Sequence, residues 1–302
     1  MMKKINDIIG DAKTIGIAGH VRPDGDCMGS CMSLYNYLKK NRPDLDVRVF
    51  LEFVDKKFNI IENTDQIITT GYDGTKFDLF ISLDTASLDR LGLNLPFYEN
   101  AKRTACIDHH ASNDGYADYN YILPKASSAS EVLYDLLDED LIDKSIAEPM
   151  YMGIAHDSGV FRFQSTTPKT MRIAANMIEK GINVNMILEE TFFRKTYNQM
   201  MVTAKIQSEA VLALDGKCIY GYCTSEMMEE YGVTTKDLDA VVASIRNVDG
   251  VEVAMFLYQL SEDSYKVSLR SKNYVDVSKI AVENGGGGHV RAAGAEIHGE
   301  LN

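Results

Sequence analysis

Lys102-Arg103-Thr104-Ala105-Cys106-Ile107-Asp108-His109-His110 decides how the rest of the chain is read. A run short enough for one strand, residues 102–107, ends abruptly in a carboxylate and two imidazoles. The arrangement recurs upstream. Residues 14–18 lead into Gly19-His20-Val21-Arg22-Pro23-Asp24-Gly25-Asp26-Cys27-Met28-Gly29-Ser30, and residues 77–83 end in a lone Asp84. Downstream, Asp157 sits in Gly153-Ile154-Ala155-His156-Asp157-Ser158-Gly159. The chain has only 6 histidines, and His20, His109, His110 and His156 all fall in these segments.

Short apolar runs alternating with helical patterns predict an α/β fold whose N-terminal domain is built on a mainly parallel sheet. Strands are expected at 14–18, 47–51, 77–83 and 102–107. A helix from about Met28 places Met28, Cys31, Met32, Tyr35 and Leu38 on one face. Ser128-Ala129-Ser130-Glu131 has capping-box spacing ahead of a helix over 132–137. Thr167-Pro168 opens another, with Gly181 just past its end. Residues 183–208 stay helical in pattern, with a polar stretch at 194–199. They read as a connection to a smaller α/β domain, with strands at 217–223, 251–260 and 265–270 and helices near 235–245 and 277–282. Glu262-Asp263 would cap the hairpin between the last two strands. The expected division is 1–187 catalytic, 188–209 connecting and 210–302 substrate-binding, with a cleft between the two domains.

Bulk properties narrow the function. Acidic residues outnumber basic ones 44 to 31, for a net charge of −13. That disfavours tight binding of long duplexes, which rests on many Lys and Arg contacts to phosphate. Five cysteines, an odd number without a small disulfide scaffold, fit reduced thiols. Met1-Met2-Lys3-Lys4 is basic, but Asp7 and Asp11 interrupt what would be a signal peptide's apolar region. No stretch approaches the ~20 apolar residues of a membrane span. A cytoplasmic protein without membrane partners is expected.

The motif residues share a physical logic. In open α/β sheets, functional groups collect beyond the carboxyl ends of the strands. A common sheet edge would therefore gather His20, Asp84 and Asp108 across about ninety positions. Pro23 and Gly25 bracket Asp24, so a tight loop is expected there. Taken singly, each acid is an ordinary turn or cap residue; four such segments in order are harder to dismiss. Asp24, Asp26, Asp84 and Asp157 bring four negative charges, which two divalent cations would balance. Without cations some of these carboxylates would hold protons instead. Asp84, central in the chain and closing a strand, is the candidate to bridge two ions roughly 3.5–4 Å apart.

On these residues the chain resembles the DHH phosphoesterase superfamily. His20 through Asp26 with Gly29-Ser30 is similar to its first motif, Asp84 to its second, Asp108-His109-His110 to its third and Asp157-Ser158-Gly159 to its fourth. The resemblance implies His20, Asp24 and Asp84 on one Mn²⁺ or Mg²⁺, and Asp26, Asp84, His109 and Asp157 on the other. It implies that Asp108 orients a ligand and that His110 faces the scissile phosphate. Cys27 stands where the family more often has Ser or Ala, and His156 replaces a frequent Thr.

Ser268-Leu269-Arg270-Ser271, then Gly285-Gly286-Gly287-Gly288-His289 and Ala292-Ala293-Gly294-Ala295, resemble the DHH-associated substrate domain. Glycines admit backbone amides close to a phosphate or base, and the Arg270 guanidinium offers a planar fork for phosphate oxygens. Arg270, Ser271, Gly286, Gly287, Gly288, His289 and Arg291 are thus the candidate substrate-binding residues, and Asp84, Asp108 and His110 the candidate catalytic ones. Two domains without extra modules look like the oligoribonuclease (nano-RNase)/pAp phosphatase branch. Longer exonucleases add a nucleic-acid-binding module. Family II pyrophosphatases share the metal motifs but lack the Gly-Gly-Gly-His loop.

The resulting expectation is a Mn²⁺-dependent hydrolase, with Mg²⁺ or Co²⁺ as alternative ions. Its partners would be short single-stranded RNA, dinucleotides and 3′-phosphoadenosine 5′-phosphate, with a homodimer left open. Competing readings are a cyclic- or linear-dinucleotide phosphodiesterase, a pyrophosphatase-like hydrolase, and a nucleotide sensor without turnover.

Overall fold

The computed structural model describes residues 4–238 and 241–299, the side chain of His289 excepted. The chain divides into two compact units, the first ending at Arg194 and the second starting at Lys195.

The first unit holds strands β1 (Thr14–Ala18), β2 (Asp46–Phe50), β3 (Leu79–Leu83), β4 (Thr104–Asp108) and β5 (Tyr119–Ile122). They form one sheet in the order β2-β1-β3-β4-β5, and every pairing is parallel. A parallel sheet covered on both faces needs strands that are apolar throughout, and Leu79–Leu83 is buried at every position. Ile15, Ile17, Leu79 and Ile81 face one core. Ala18, Phe50 and Phe80 face another, with Phe77 and Phe97. Strand β5 lies outside the sequence expectation: Tyr119-Asn120-Tyr121-Ile122 is a partly exposed edge with no apolar run to announce it.

The helices of this unit are α1 (Ile5–Ile9), α2 (Gly25–Asn41), α3 (Leu95–Glu99), α4 (Ala129–Leu136), α5 (Lys144–Asp157), α6 (Pro168–Glu179) and α7 (Val184–Leu188). Helix α2 begins at Gly25, three residues earlier than its apolar pattern suggests. Asp24 is its N-cap, accepting from the amides of Asp26 and Cys27, so Asp26 lies in the first helical turn and not in a free loop. Helices α2 and α5 approach through glycine. A Cβ on Gly29 would lie 2.5 Å from the Pro149 carbonyl oxygen and 2.8 Å from the Gly153 nitrogen. Pro149, inside α5, cannot donate to Ser145 one turn back. Asn36 of α2 takes that role, its Nδ2 donating to the Ser145 carbonyl at 2.9 Å. Ser128 caps α4 as expected, but Glu131 does not complete the box. Its carboxylate accepts from the hydroxyls of Ser127 and Thr170, both at 2.7 Å. Thr167 caps α6, and Gly181 follows in the left-handed region.

The helical pattern over 183–208 is interrupted. Helix α7 passes into a π-helical turn, Glu189–Phe193, and a new helix starts after the N-cap Thr196. That helix, α8 (Tyr197–Glu209), packs Val202 and Ile206 into the core of the second unit. The remaining elements are β6 (Val211–Ala213), β7 (Cys218–Cys223), α9 (Ser225–Tyr231), α10 (Val241–Ile245), β8 (Val253–Ser261), β9 (Ser264–Ser271), α11 (Val277–Glu283), β10 (Gly287–His289) and β11 (Ala292–His298). The sheet order is β10-β11-β9-β8-β7-β6, antiparallel except for β7 with β8. Glu262-Asp263 forms the tip of the β8–β9 hairpin. Part of the helix expected near 235–245 falls on residues 239 and 240, outside the described residues.

Candidate metal centre

Strands β1, β3 and β4 are neighbours in the sheet, so their carboxyl ends deliver His20, Asp84 and Asp108 side by side. Asp84 takes φ 52°, the left-handed region that costs a non-glycine residue energy and recurs where a side chain must be aimed. Its two oxygens face different histidines. Oδ2 is 3.5 Å from His20 Nε2, and Oδ1 is 3.5 Å from His109 Nε2. Oδ1 is buried and accepts no hydrogen bond. Asp24 Oδ1 approaches His20 Nε2 at 3.8 Å, and Asp157 Oδ2 approaches His109 Nε2 at 3.0 Å. Three overlapping donor groups result: His20 with Cys27 and Asp84, Asp84 with His109 and His110, and Asp26 with His109 and Asp157. Within each, the donor atoms lie within 4.8 Å of one another.

The surroundings fix how these donors are presented. His20 Nδ1 is 2.8 Å from the Val21 carbonyl, which accepts a hydrogen bond from it, so Nε2 is the nitrogen that faces the carboxylates. Asp26 is anchored from across the chain: its oxygens accept the amides of Ala129 at 2.6 Å and Ser130 at 3.0 Å. These are the first residues of α4, whose N-terminal amides need acceptors. Asp108 is fully buried. Its Oδ1 is 2.8 Å from His110 Nδ1, and its Oδ2 accepts from Asn113 Nδ2 at 2.6 Å. The residue that Asp108 orients is therefore His110. Asn113 was not singled out from the sequence, because a lone Asn in a turn carries no signal until the fold lays it against Asp108.

Proton balance is what an unneutralised cluster produces. Burial disfavours a charged His20, but Cys27 and hydrogen bonds with Asp24 and Asp84 outweigh it and push the imidazole up to about 12. His109 likewise overcomes its burial through Asp157 and Asp84 and reaches about 12. Burial, opposed in part by His109, pushes Asp157 up to about 6. Burial and the nearby Asp84 and Asp157 hold Asp26 well above the usual carboxylate range. His110 is raised: burial opposes its charge, and Asp108 and Asp84 favour it. Protons thus stand in for cations. With imidazole nitrogens, carboxylate oxygens and an orphaned buried Oδ1, the donors suit divalent ions.

His156 stays outside the donor groups. Its Nε2 is 3.0 Å from Thr191 Oγ1, and burial together with Lys57 pushes it down to about 4, so it packs as a neutral ring.

In the second unit, Arg270 lies on β9 between Ala254 and Ala292, and its Nη1 donates to the Leu269 carbonyl at 3.0 Å. Ser271 donates its hydroxyl to the Val275 carbonyl at 2.7 Å. Arg291 also donates to the Val275 carbonyl at 2.7 Å, and to that of Asn273. Both residues hold the turn after β9. The glycines divide by role. A Cβ on Gly286 would sit 2.1 Å from the Gly294 carbonyl oxygen, and one on Gly288 (φ 142°) 2.5 Å from that of Ala292. Those two let β10 lie tightly on β11, whereas Gly287 has open space. The His289 side chain lies outside the described residues.

A parallel α/β unit that collects carboxylates and imidazoles at its strand ends, followed by a unit built on a mixed sheet, defines a class of divalent-cation phosphoesterases. The chain belongs to the DHH family. Residues 14–154 match the DHH family, N-terminal domain, and residues 215–302 match the DHHA1 domain. A bifunctional oligoribonuclease and PAP phosphatase NrnA from Thermus thermophilus is 32% identical over 94% of this chain and 84% of its own length. The protein of that name from Bacillus subtilis is 28% identical over 94% of this chain and 90% of its own. The crystal structure of an exopolyphosphatase-related protein from Bacteroides fragilis shares the fold, with a TM-score of 0.89 at 24% identity over 98% of this chain and 90% of that one.

Proposed function

We propose that this protein is a Mn²⁺-dependent phosphoesterase. It would shorten very small oligoribonucleotides and dinucleotides and convert 3′-phosphoadenosine 5′-phosphate to AMP. The observation that carries the hydrolytic reading is the Asp84 carboxylate, split between His20 and His109 with one buried oxygen left unpartnered. The choice of substrate follows the relatives named as oligoribonuclease and PAP phosphatase.

His20, Asp24 and Asp84 would hold one ion, and Asp26, Asp84, His109 and Asp157 the other. Bound there, divalent ions supply Lewis-acid polarisation of a phosphoryl group and lower the pKa of water. The chain's own residues do the rest. Asp108 and Asn113 fix His110 through Nδ1, so that Nε2 can hold a proton against a phosphoryl oxygen as charge builds there. The pKa of His110 is raised, Asp108 and Asp84 favouring the charged ring against its burial, which helps it hold that proton. Arg270, the glycines Gly286, Gly287 and Gly288, and His289 would bind the nucleotide, with Ser271 and Arg291 shaping the turn after β9. A net charge of −13 disfavours long duplexes as substrates.

The test is a length series of labelled RNAs run with Mn²⁺ beside pAp, a cyclic dinucleotide and pyrophosphate. Turnover confined to the shortest RNAs and pAp supports this reading. Preference for pyrophosphate or for a cyclic dinucleotide would replace it, and binding without product would indicate a sensor.

A further inference from the structure

We propose that Cys27 supplies a sulfur donor to the first cation position, so that His20, Cys27 and Asp84 together take a thiophilic divalent ion such as Zn²⁺, Co²⁺ or Cd²⁺. The inference rests on the metal reading of His20 and Asp84 given above.

The geometry is close to that of a bound ion. The three donor atoms lie within 4.8 Å of one another. Metal–sulfur bonds of ~2.3 Å and metal–nitrogen bonds of ~2.1 Å at tetrahedral angles set donors on one ion about 3.6 Å apart. The set closes on an ion by inward movement of these side chains. Cys27 is fully buried, its Sγ donating to the His20 carbonyl at 3.9 Å and lying beside the Cys31 thiol. The sulfur is held in place by an absence: a Cβ on Gly19 would fall 2.2 Å from it. Asp84 is itself almost fully buried, and its Oδ2 faces His20 Nε2 at 3.5 Å.

Chemistry gives the sulfur a direction of selectivity. Carboxylate suits Mg²⁺ and Mn²⁺ and imidazole the later ions, and a thiolate adds a further preference for the softer, later ones. On binding, the S–H bond breaks, its proton passes to solvent and a sulfur–metal bond forms in its place.

The experiment loads the full chain with Co²⁺ alone and reads the near-ultraviolet thiolate-to-cobalt charge-transfer band. The band is expected in the wild type and in Cys31→Ser and Cys106→Ser, and lost in Cys27→Ser with its fold verified by circular dichroism. Cobalt-edge X-ray absorption on the wild type needs no variant and should show sulfur at about 2.3 Å. A wild-type protein with only nitrogen and oxygen neighbours, or a band that survives Cys27→Ser, overturns the proposal. Mn²⁺-supported hydrolysis of pAp by the wild type is measured separately. Its failure beside an intact sulfur band would sink the proposed function and leave this inference standing.

Discussion

His110 hangs from Asp108: the 2.8 Å contact between His110 Nδ1 and a fully buried carboxylate fixes the ring. In the proposed function, Asp108 would thereby serve catalysis without serving as a ligand. We expect His110→Ala to keep both ions and lose about 10²–10⁴-fold in turnover, the usual worth of a positioned proton donor. Asp108→Asn should cost about 10–100-fold by loosening the same ring. Metal stoichiometry measured beside kcat checks both. Loss of one ion from His110→Ala would make His110, not His109, the ligand.

Asp84→Asn should be the most damaging single ligand change. Its two oxygens serve both histidines, so an amide there disturbs both positions at once. We expect hydrolysis to fall to background and fewer than two ions to bind tightly. Near-wild-type turnover with two ions bound would show that Asp84 does not bridge.

Cation affinity should rise with pH. In the cation-free protein His20 and His109 are raised to about 12 and are protonated throughout the working range. Ligation requires neutral imidazole, so each ion must displace protons, and lowering the proton concentration favours binding. Mn²⁺ titrations by calorimetry in buffers of different ionisation enthalpy would count the protons released. Affinity independent of pH, with no protons released, contradicts the assignment.

Recognition should separate from chemistry. Arg270→Ala removes a charge-assisted phosphate contact worth roughly 1.5–3 kcal/mol, or about ten- to hundredfold. We expect that loss, and a similar one for His289→Ala, on dinucleotides and pAp. A generic activated phosphodiester should be spared. Equal losses on both substrates would assign these residues to the fold.

Much of the first unit was legible because its strands end in chemistry. Three apolar runs closing on His20, Asp84 and Asp108 implied a shared sheet edge before any topology was known. Strand β5 escaped because its partly exposed residues bear no apolar run. The start of α2 was misplaced by reading Pro23 and Gly25 as turn formers, when Asp24 was already the N-cap. The glycines at 286 and 288 looked like a phosphate cradle. Their contacts with Gly294 and Ala292 depend on β11 packing against them, a tertiary fact. Nothing local predicted that Asp26 would answer the amides of Ala129 and Ser130, more than a hundred residues away.

The glycine crossing of α2 and α5 gives the candidate centre a gauge of its own. Asp26 stands three residues before Gly29, and Asp157 four after Gly153, so each carboxylate is about one helical turn from the point of closest approach. A methyl group at either glycine would act as a wedge. At Gly29 it would meet the backbone of α5, whereas at Gly153 it would fall 2.7 Å from Asp26 Oδ1 itself. A side chain at Gly29 would therefore be a way to vary the span between these two carboxylates without touching either of them.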